Sequence, residues 1–181
     1  HYWDVGVDGI CVYNYFNHRP HPFSKEDRQI LEEIGDPDVL MWKDKRYALV
    51  SVDFIFEDEG WQMPLEVSGS HVIRCSLGGE TPTGAGEWPL RSDLLRLTFE
   101  KIVLEEDVLE FKLNGTVIPS ESFNAMFDPA CYDFRCIGCD LSGLPLLKTG
   151  ENALGIELTR RCPGVSAPLI LTEVEVITSY R

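Results

Sequence analysis

From residue 47 onward, hydrophobic and polar positions alternate with a period of two. In Leu94–Phe99 the apolar residues Leu95, Leu97 and Phe99 fall on one side, and in Val108–Leu113 so do Leu109, Phe111 and Leu113. That is the period of a strand with one buried face. Asn114-Gly115 comes next, the dipeptide favoured where both central residues of a tight hairpin need positive φ, and it predicts Thr116–Ile118 as the returning strand. Further strands are expected over Tyr47–Val52, Asp53–Phe56, Leu65–Val67, His71–Leu77, Asn152–Leu158 and Leu169–Ile177. In the last of these, Ile170, Val174 and Val176 should point inward, with Glu173 and Glu175 outward. Residues 78–89 read as a long Gly/Pro/Thr loop, and a Cys-rich stretch before residue 150 reads as irregular. Eight or so short strands without an internal repeat make the fold class mainly β, a sandwich or jelly roll.

The first 46 residues follow a different pattern. Ile10-Cys11-Val12-Tyr13 is a continuous apolar run that suits a strand covered on both faces, and residues 17–23 carry two prolines that break regular structure. Ser24 is placed as an N-cap for a helix over Lys25–Ile34, with Ile30, Leu31 and Ile34 on one side. Gly35 is placed to close that helix, Asp36-Pro37 to stop it, and a second short helix or turn is expected around Pro37–Trp42. The division expected is therefore a strand–helix extension over 1–46 and a sandwich over 47–181. The opening His1-Tyr2-Trp3-Asp4 is neither an initiator Met nor a basic signal region, so the chain reads as processed from something longer.

Composition narrows the partners. A hydrophobic fraction of 44% supports a real core. No run approaches the roughly 18 apolar residues of a membrane span, so membrane insertion is not expected. Thirty acidic against sixteen basic residues give a net charge of -14, which repels phosphate backbones and argues against nucleic acid. The six cysteines are even in number, and Asn114-Gly115-Thr116 is a glycosylation sequon on the expected hairpin tip. Together they point to a secreted, oxidising compartment.

The candidate chemistry is sparse. Trp61 follows the acidic turn Glu57-Asp58-Glu59, and Trp88 ends the long loop with Glu87, Arg91 and Asp93 beside it. Sugars stack their C–H faces on such rings while carboxylates and guanidinium groups bond the hydroxyls, which makes these five residues candidates for carbohydrate binding. The alternative is that both indoles cap the ends of the core. Glu57, Asp58 and Glu59 are also weak candidates for a structural Ca2+, which needs six to eight oxygens. Cys131, Cys136, Cys139 and Cys162 could form disulfides that pin a loop, or a thiolate zinc site through the Cys136-x2-Cys139 half. Cys11 and Cys75 read as buried thiols. The linker histidines His18 and His21 have no poised nucleophile, no phosphate-binding loop occurs, and no catalytic residue or cofactor is assigned.

Three stretches resemble a known family. Gly6-Val7-Asp8-Gly9-Ile10 with Asn14 resembles the final barrel strand of bacterial glycoside-hydrolase-like (β/α)8 proteins. Leu31–Pro37 with Lys43–Tyr47 resembles the linker after that barrel. Leu95–Leu97, Leu109–Gly115, Gly150–Asn152 and Leu171–Val176 resemble the attached galactose-binding-like sandwich. A barrel builds its active site from the ends of several strands, and at most one such strand is present here. The resemblance thus implies a non-catalytic carbohydrate-binding or accessory domain, partnered by sugar or by a neighbouring catalytic-like domain. Two alternatives stand beside it. One is a secreted, acidic, disulfide-stapled adhesion or self-assembling protein, with homo-oligomers expected; the other is an inactive glycoside-hydrolase fragment.

Overall fold

The computed structural model describes residues 25–50, 62–78, 91–126, 134–142, 144 and 146–180. The expected strands at 5–16 and 53–56 and the cap at Ser24 lie outside these residues. Two units separate, one holding the helices and the other the strands.

In the helical unit, α1 spans Lys25–Ile34 and α2 spans Pro37–Met41. Asp36 ends one helix and starts the next. Its N–H donates to the Glu33 carbonyl (3.0 Å), while its Oδ1 accepts from the N–H groups of Asp38 (2.9 Å) and Val39 (3.3 Å). Those amides have no intrahelical acceptor, so the carboxylate satisfies them, and Pro37 at the first turn forfeits no bond. Glu33 accepts from Gln29 (2.5 Å) and pairs with Lys43 (2.9 Å), and these contacts hold its carboxyl below the usual value.

The strand unit contains β1 (Lys45–Val50), β2 (Leu65–Glu66), β3 (Ser70–Leu77), β4 (Arg91–Glu100), β5 (Val108–Leu113), β6 (Thr116–Ile118), β7 (Phe123–Met126), β8 (Phe134–Asp140), β9 (Gly150–Arg160) and β10 (Ile170–Tyr180). One antiparallel sheet runs β1-β10-β4-β8-β7, with β2 also on β10, and the other runs β3-β9-β5-β6. Set side by side, β1-β10-β4-β8 over β3-β9-β5-β6 is the strand order of a jelly roll. The core lies between the sheets. Leu95, Leu97 and Phe99 of β4 meet Leu109, Phe111 and Leu113 of β5, Leu154 and Ile156 of β9, and Val174 and Val176 of β10, all buried. The alternation read in β4 and β5 is the alternation observed.

Two expectations need correction, and a third holds with an unexpected burial. The Cys-rich stretch contains a regular strand, β8, paired along its length with β4. Its alternation is inconspicuous because one outward position is Gly138, where a Cβ would stand 2.2 Å from Met126 Sδ and 3.3 Å from Leu94 Cδ1. Ile170 does not share a side with Val174, because a bulge between Leu171 and Glu173 shifts the β4–β10 register and puts Leu169 and Leu171 into the core instead. Glu175 does face away from the core, yet its side chain is 0% exposed. Arg46 from β1 and Arg96 from β4 both donate to it, and Arg46 and Arg96 also reach Glu173. Two flanking guanidinium groups supply the donors a buried carboxylate requires. Burial alone would lower the Arg96 pKa, but the charges and hydrogen bond of Glu175, with Cys136 and Glu173 adding, raise it.

The hairpin after β5 is as expected, with φ of 51° at Asn114 and 85° at Gly115. The Asn114 side chain, however, is structural. Its Nδ2 donates to the Leu146 carbonyl (2.7 Å) and to Asn152 Oδ1 (2.8 Å), and its Oδ1 accepts from the Ala153 N–H (3.0 Å). Asn152, fully buried, donates to the carbonyls of Lys148 (2.7 Å) and Gly150 (2.9 Å) and accepts from the Lys148 N–H (3.0 Å). The two amides join the hairpin to the segment before β9. Replacing Asn152 by Ala strands several buried partners at once and should cost about 3 kcal/mol. Urea denaturation of the variant tests this, and a change well under about 1 kcal/mol would show the network to be dispensable.

Candidate functional site

The inward-facing rows of the larger sheet change character towards one end. Leu95 and Val176 form an apolar row with Tyr47 and Cys139. Two residues further along, the same face carries Asp93 opposite Thr178, with Lys45 on the far side of Thr178. The last row pairs Arg91 with Tyr180. Because strand side chains repeat every second residue, the β4–β10 register itself stacks this polar cap on the apolar core.

The cap is internally bonded. Arg91 Nε lies 3.0 Å from Asp93 Oδ1 and 2.9 Å from Oδ2. The Thr178 hydroxyl donates to Asp93 Oδ1 (2.7 Å). Lys45 Nζ sits 4.7 Å from the centre of the Tyr180 ring, a cation–π distance. The Tyr180 N–H donates to Asp44 (3.0 Å). Beside this cluster the Ser142 hydroxyl accepts from the Asp93 N–H (3.2 Å) and donates to Ser92 Oγ (3.2 Å), and Asp140 accepts from the Ser142 N–H (2.8 Å). Those Ser142 hydrogen bonds hold the Asp140 carboxyl below its usual value. Burial pushes the Tyr180 phenol up, Arg91 opposes this, and Asp93 and Asp44 add to it.

Chemically the arrangement gathers hydrogen-bonding groups. It offers a half-exposed guanidinium, a carboxylate, two serine hydroxyls and an aromatic edge in one place. Among the described residues no imidazole or amine hydrogen-bonds Ser92 or Ser142.

Of the residues singled out from sequence, Arg91 and Asp93 are brought together here. Trp61, Glu87, Trp88, Glu57, Asp58, Glu59 and Cys131 lie outside the described residues. Tyr180, Lys45, Thr178 and Ser142 were missed. Tyr180 continues the alternation of β10, and that period was the available signal. The sequon Asn114 stands in the hairpin tip with both Nδ2 hydrogens engaged, so a glycan there would displace one of its bonds. Among the described residues no group of three His, Cys, Asp or Glu side chains is placed to hold a metal ion.

The disulfide expectation is corrected. Cys75, Cys136, Cys139 and Cys162 are all outside any disulfide. Cys136 and Cys139 sit three apart on β8, so they point to opposite faces, Cys139 across from Leu95 in the core and Cys136 across from Thr98 on the outer side. Neither a mutual disulfide nor a shared zinc ion is open to such a pair. Burial raises the Cys75 thiol, and burial with nearby Asp140 raises that of Cys139. This removes one argument for an oxidising compartment.

No protein-family model matches the chain, and no curated protein matches it in sequence. The class that can be stated is the one the fold defines: a mainly-β protein of two packed antiparallel sheets, with short helices in a separate unit.

Two outcomes follow. Denatured without reductant, the chain should present at least four thiols to Ellman's reagent, whereas the native protein reacts slowly at Cys75 and Cys139; fewer than four would restore the disulfide reading. For Tyr180, the raised value means the fold favours the neutral phenol. Its contribution to stability is complete below the ordinary tyrosine value of about 10 and is lost as pH rises through the higher folded value. An ultraviolet titration should show a late-ionising tyrosine that disappears in Tyr180→Phe.

Proposed function

We propose that this sandwich is a non-catalytic carbohydrate-binding module that serves a neighbouring glycoside-hydrolase-like domain. The observation that carries the reading is the polar cap of Arg91, Asp93, Thr178 and Tyr180 at the end of the larger sheet, with Ser92 and Ser142 beside it. A sugar needs paired donors and acceptors for its hydroxyls and an aromatic surface for its C–H face. The cap supplies the polar groups from strand ends, where the rigid ladder fixes their spacing, with the Tyr180 ring, one face taken by Lys45, beside them. Galactose-binding-like sandwiches attached to glycoside hydrolases, which the strand sequences resemble, give the same direction. The acidic balance suits an uncharged ligand. A secreted setting belongs to this reading through the function alone, since the Asn114 amide is engaged by the fold and the described cysteines lie outside any disulfide.

Titration against a glycan array tests it, using the native chain, Arg91→Ala and Trp88→Ala. Saturable binding of a neutral glycan that Arg91→Ala weakens about tenfold or more is expected, since the change removes the guanidinium arm of a charge-assisted pair. Failure of the native chain to bind any glycan would leave the sandwich a structural or adhesive role.

A further inference from the structure

The two sheets part where β5 faces β7 and β8, and a cavity of about 540 Å3 opens there. Its volume is in the range of small-molecule sites. Leu109 and Phe111 from the smaller sheet and Phe123 and Ile137 from the larger one form its apolar walls, with the two phenyl rings 4.2 Å apart. Leu104, an exposed leucine, stands at its margin.

Among the described residues the ionisable groups on this lining are all carboxylates: Glu105, Asp107 and Glu121. Asp107 is committed to the fold. Its Oδ1 accepts from the Cys162 N–H (2.7 Å), and its Oδ2 accepts from the Val103 N–H (2.7 Å) and from Arg161. Glu105 and Glu121 are exposed, and neither makes a hydrogen bond or ion pair among the described residues. Among the described residues no lysine or arginine lines the cavity, and Ser120 carries the only side-chain donor on the lining.

That inventory selects a ligand class. A polyol could bond its hydroxyls only at the carboxylates and Ser120, and those set against Leu109, Phe111, Phe123 and Ile137 would lose their hydration, a loss that apolar contact does not offset. An anion would meet two uncompensated carboxylates. A molecule with an apolar body and a protonated amine satisfies both features, filling the hydrophobic space and placing its charge at the acidic margin. We infer that the cavity between β5 and β7–β8 is a binding site for a small amphiphilic cation, an aromatic or aliphatic primary amine. The site shares no lining residue with the Arg91–Asp93 cap and does not depend on the carbohydrate reading.

Phenethylamine, 2-phenylethanol and 3-phenylpropionate share an aromatic body and differ in head-group charge. Titrated into the full chain and followed by amide NMR shifts, the amine should perturb Leu109–Leu113 and Phe123–Met126 saturably. The alcohol should bind more weakly and the carboxylate not measurably. The double change Glu105→Gln/Glu121→Gln should weaken the amine about tenfold and leave the alcohol unchanged. Ala125→Phe, which adds a ring to an exposed lining position, should abolish both. Equal binding of amine and carboxylate, shifts confined to other parts of the chain, or no saturable shift with any of the three would overturn the inference.

Discussion

The structure depends on one constraint, the antiparallel register between β4 and β10. Leu97 stands opposite Val174, Leu95 opposite Val176, Arg96 opposite Glu175, Asp93 opposite Thr178 and Arg91 opposite Tyr180. Each pair puts like chemistry on the same face. A slip of one residue would send Val174 and Val176 outward and drive Glu173 and Glu175 into the hydrocarbon core, where a carboxylate without donors is not tolerated. The bulge at Leu171/Glu173 lets the two halves of β10 each keep apolar residues inward despite an odd spacing.

The same register explains why a buried carboxylate lies on the outer side of the larger sheet. Glu175 has Ala48 opposite it on β1 and Arg96 opposite it on β4, and Arg46 reaches it as well. Such a cluster adds little net stability over an apolar one, but loss of both guanidinium groups would leave the buried Glu175 carboxylate unpaired, a cost of about 3–5 kcal/mol. It therefore penalises alternative pairings more than it rewards the correct one. At the end of that ladder the polar cap arises with no change of backbone, only of residue type. On the side of the sandwich away from β1 and β3, β5 belongs to one sheet and β7 and β8 to the other, with the cavity between them. Cap and cavity thus offer opposite chemistry, hydroxyl-bonding groups at a strand end and an apolar cleft with an acidic margin.

Much of this was legible beforehand, and the failures have causes. β5, β6 and their hairpin were readable because alternation and turn chemistry agree there, and α1 because an apolar side and its terminal signals coincide. β8 was not readable, since Gly138 occupies an outward position whose partner, Met126, is distant in the sequence pattern though adjacent in the sheet. Half of the candidate cap was found, as Arg91 and Asp93, through their nearness to Trp88. Lys45 and Tyr180 come from opposite ends of the strand unit and share no local pattern with them.

By itself the sequence determined the strands whose alternation is clear, above all β4, β5 and β6, the apolar faces of β4 and β5 and where the tightest turn falls, because those properties follow from periods and dihedral preferences within a few residues. Net charge alone set the expectation that phosphate polymers are disfavoured partners. The tertiary structure decided the rest: that Cys136 and Cys139 face opposite ways and stay thiols, that Glu175 is buried rather than solvated, that Asn114 braces a loop, and that Arg91 meets Tyr180. Each of these turns on which strand lies beside which, and pairing between strands far apart in sequence is set by the fit of whole sheets rather than by any local run of residues.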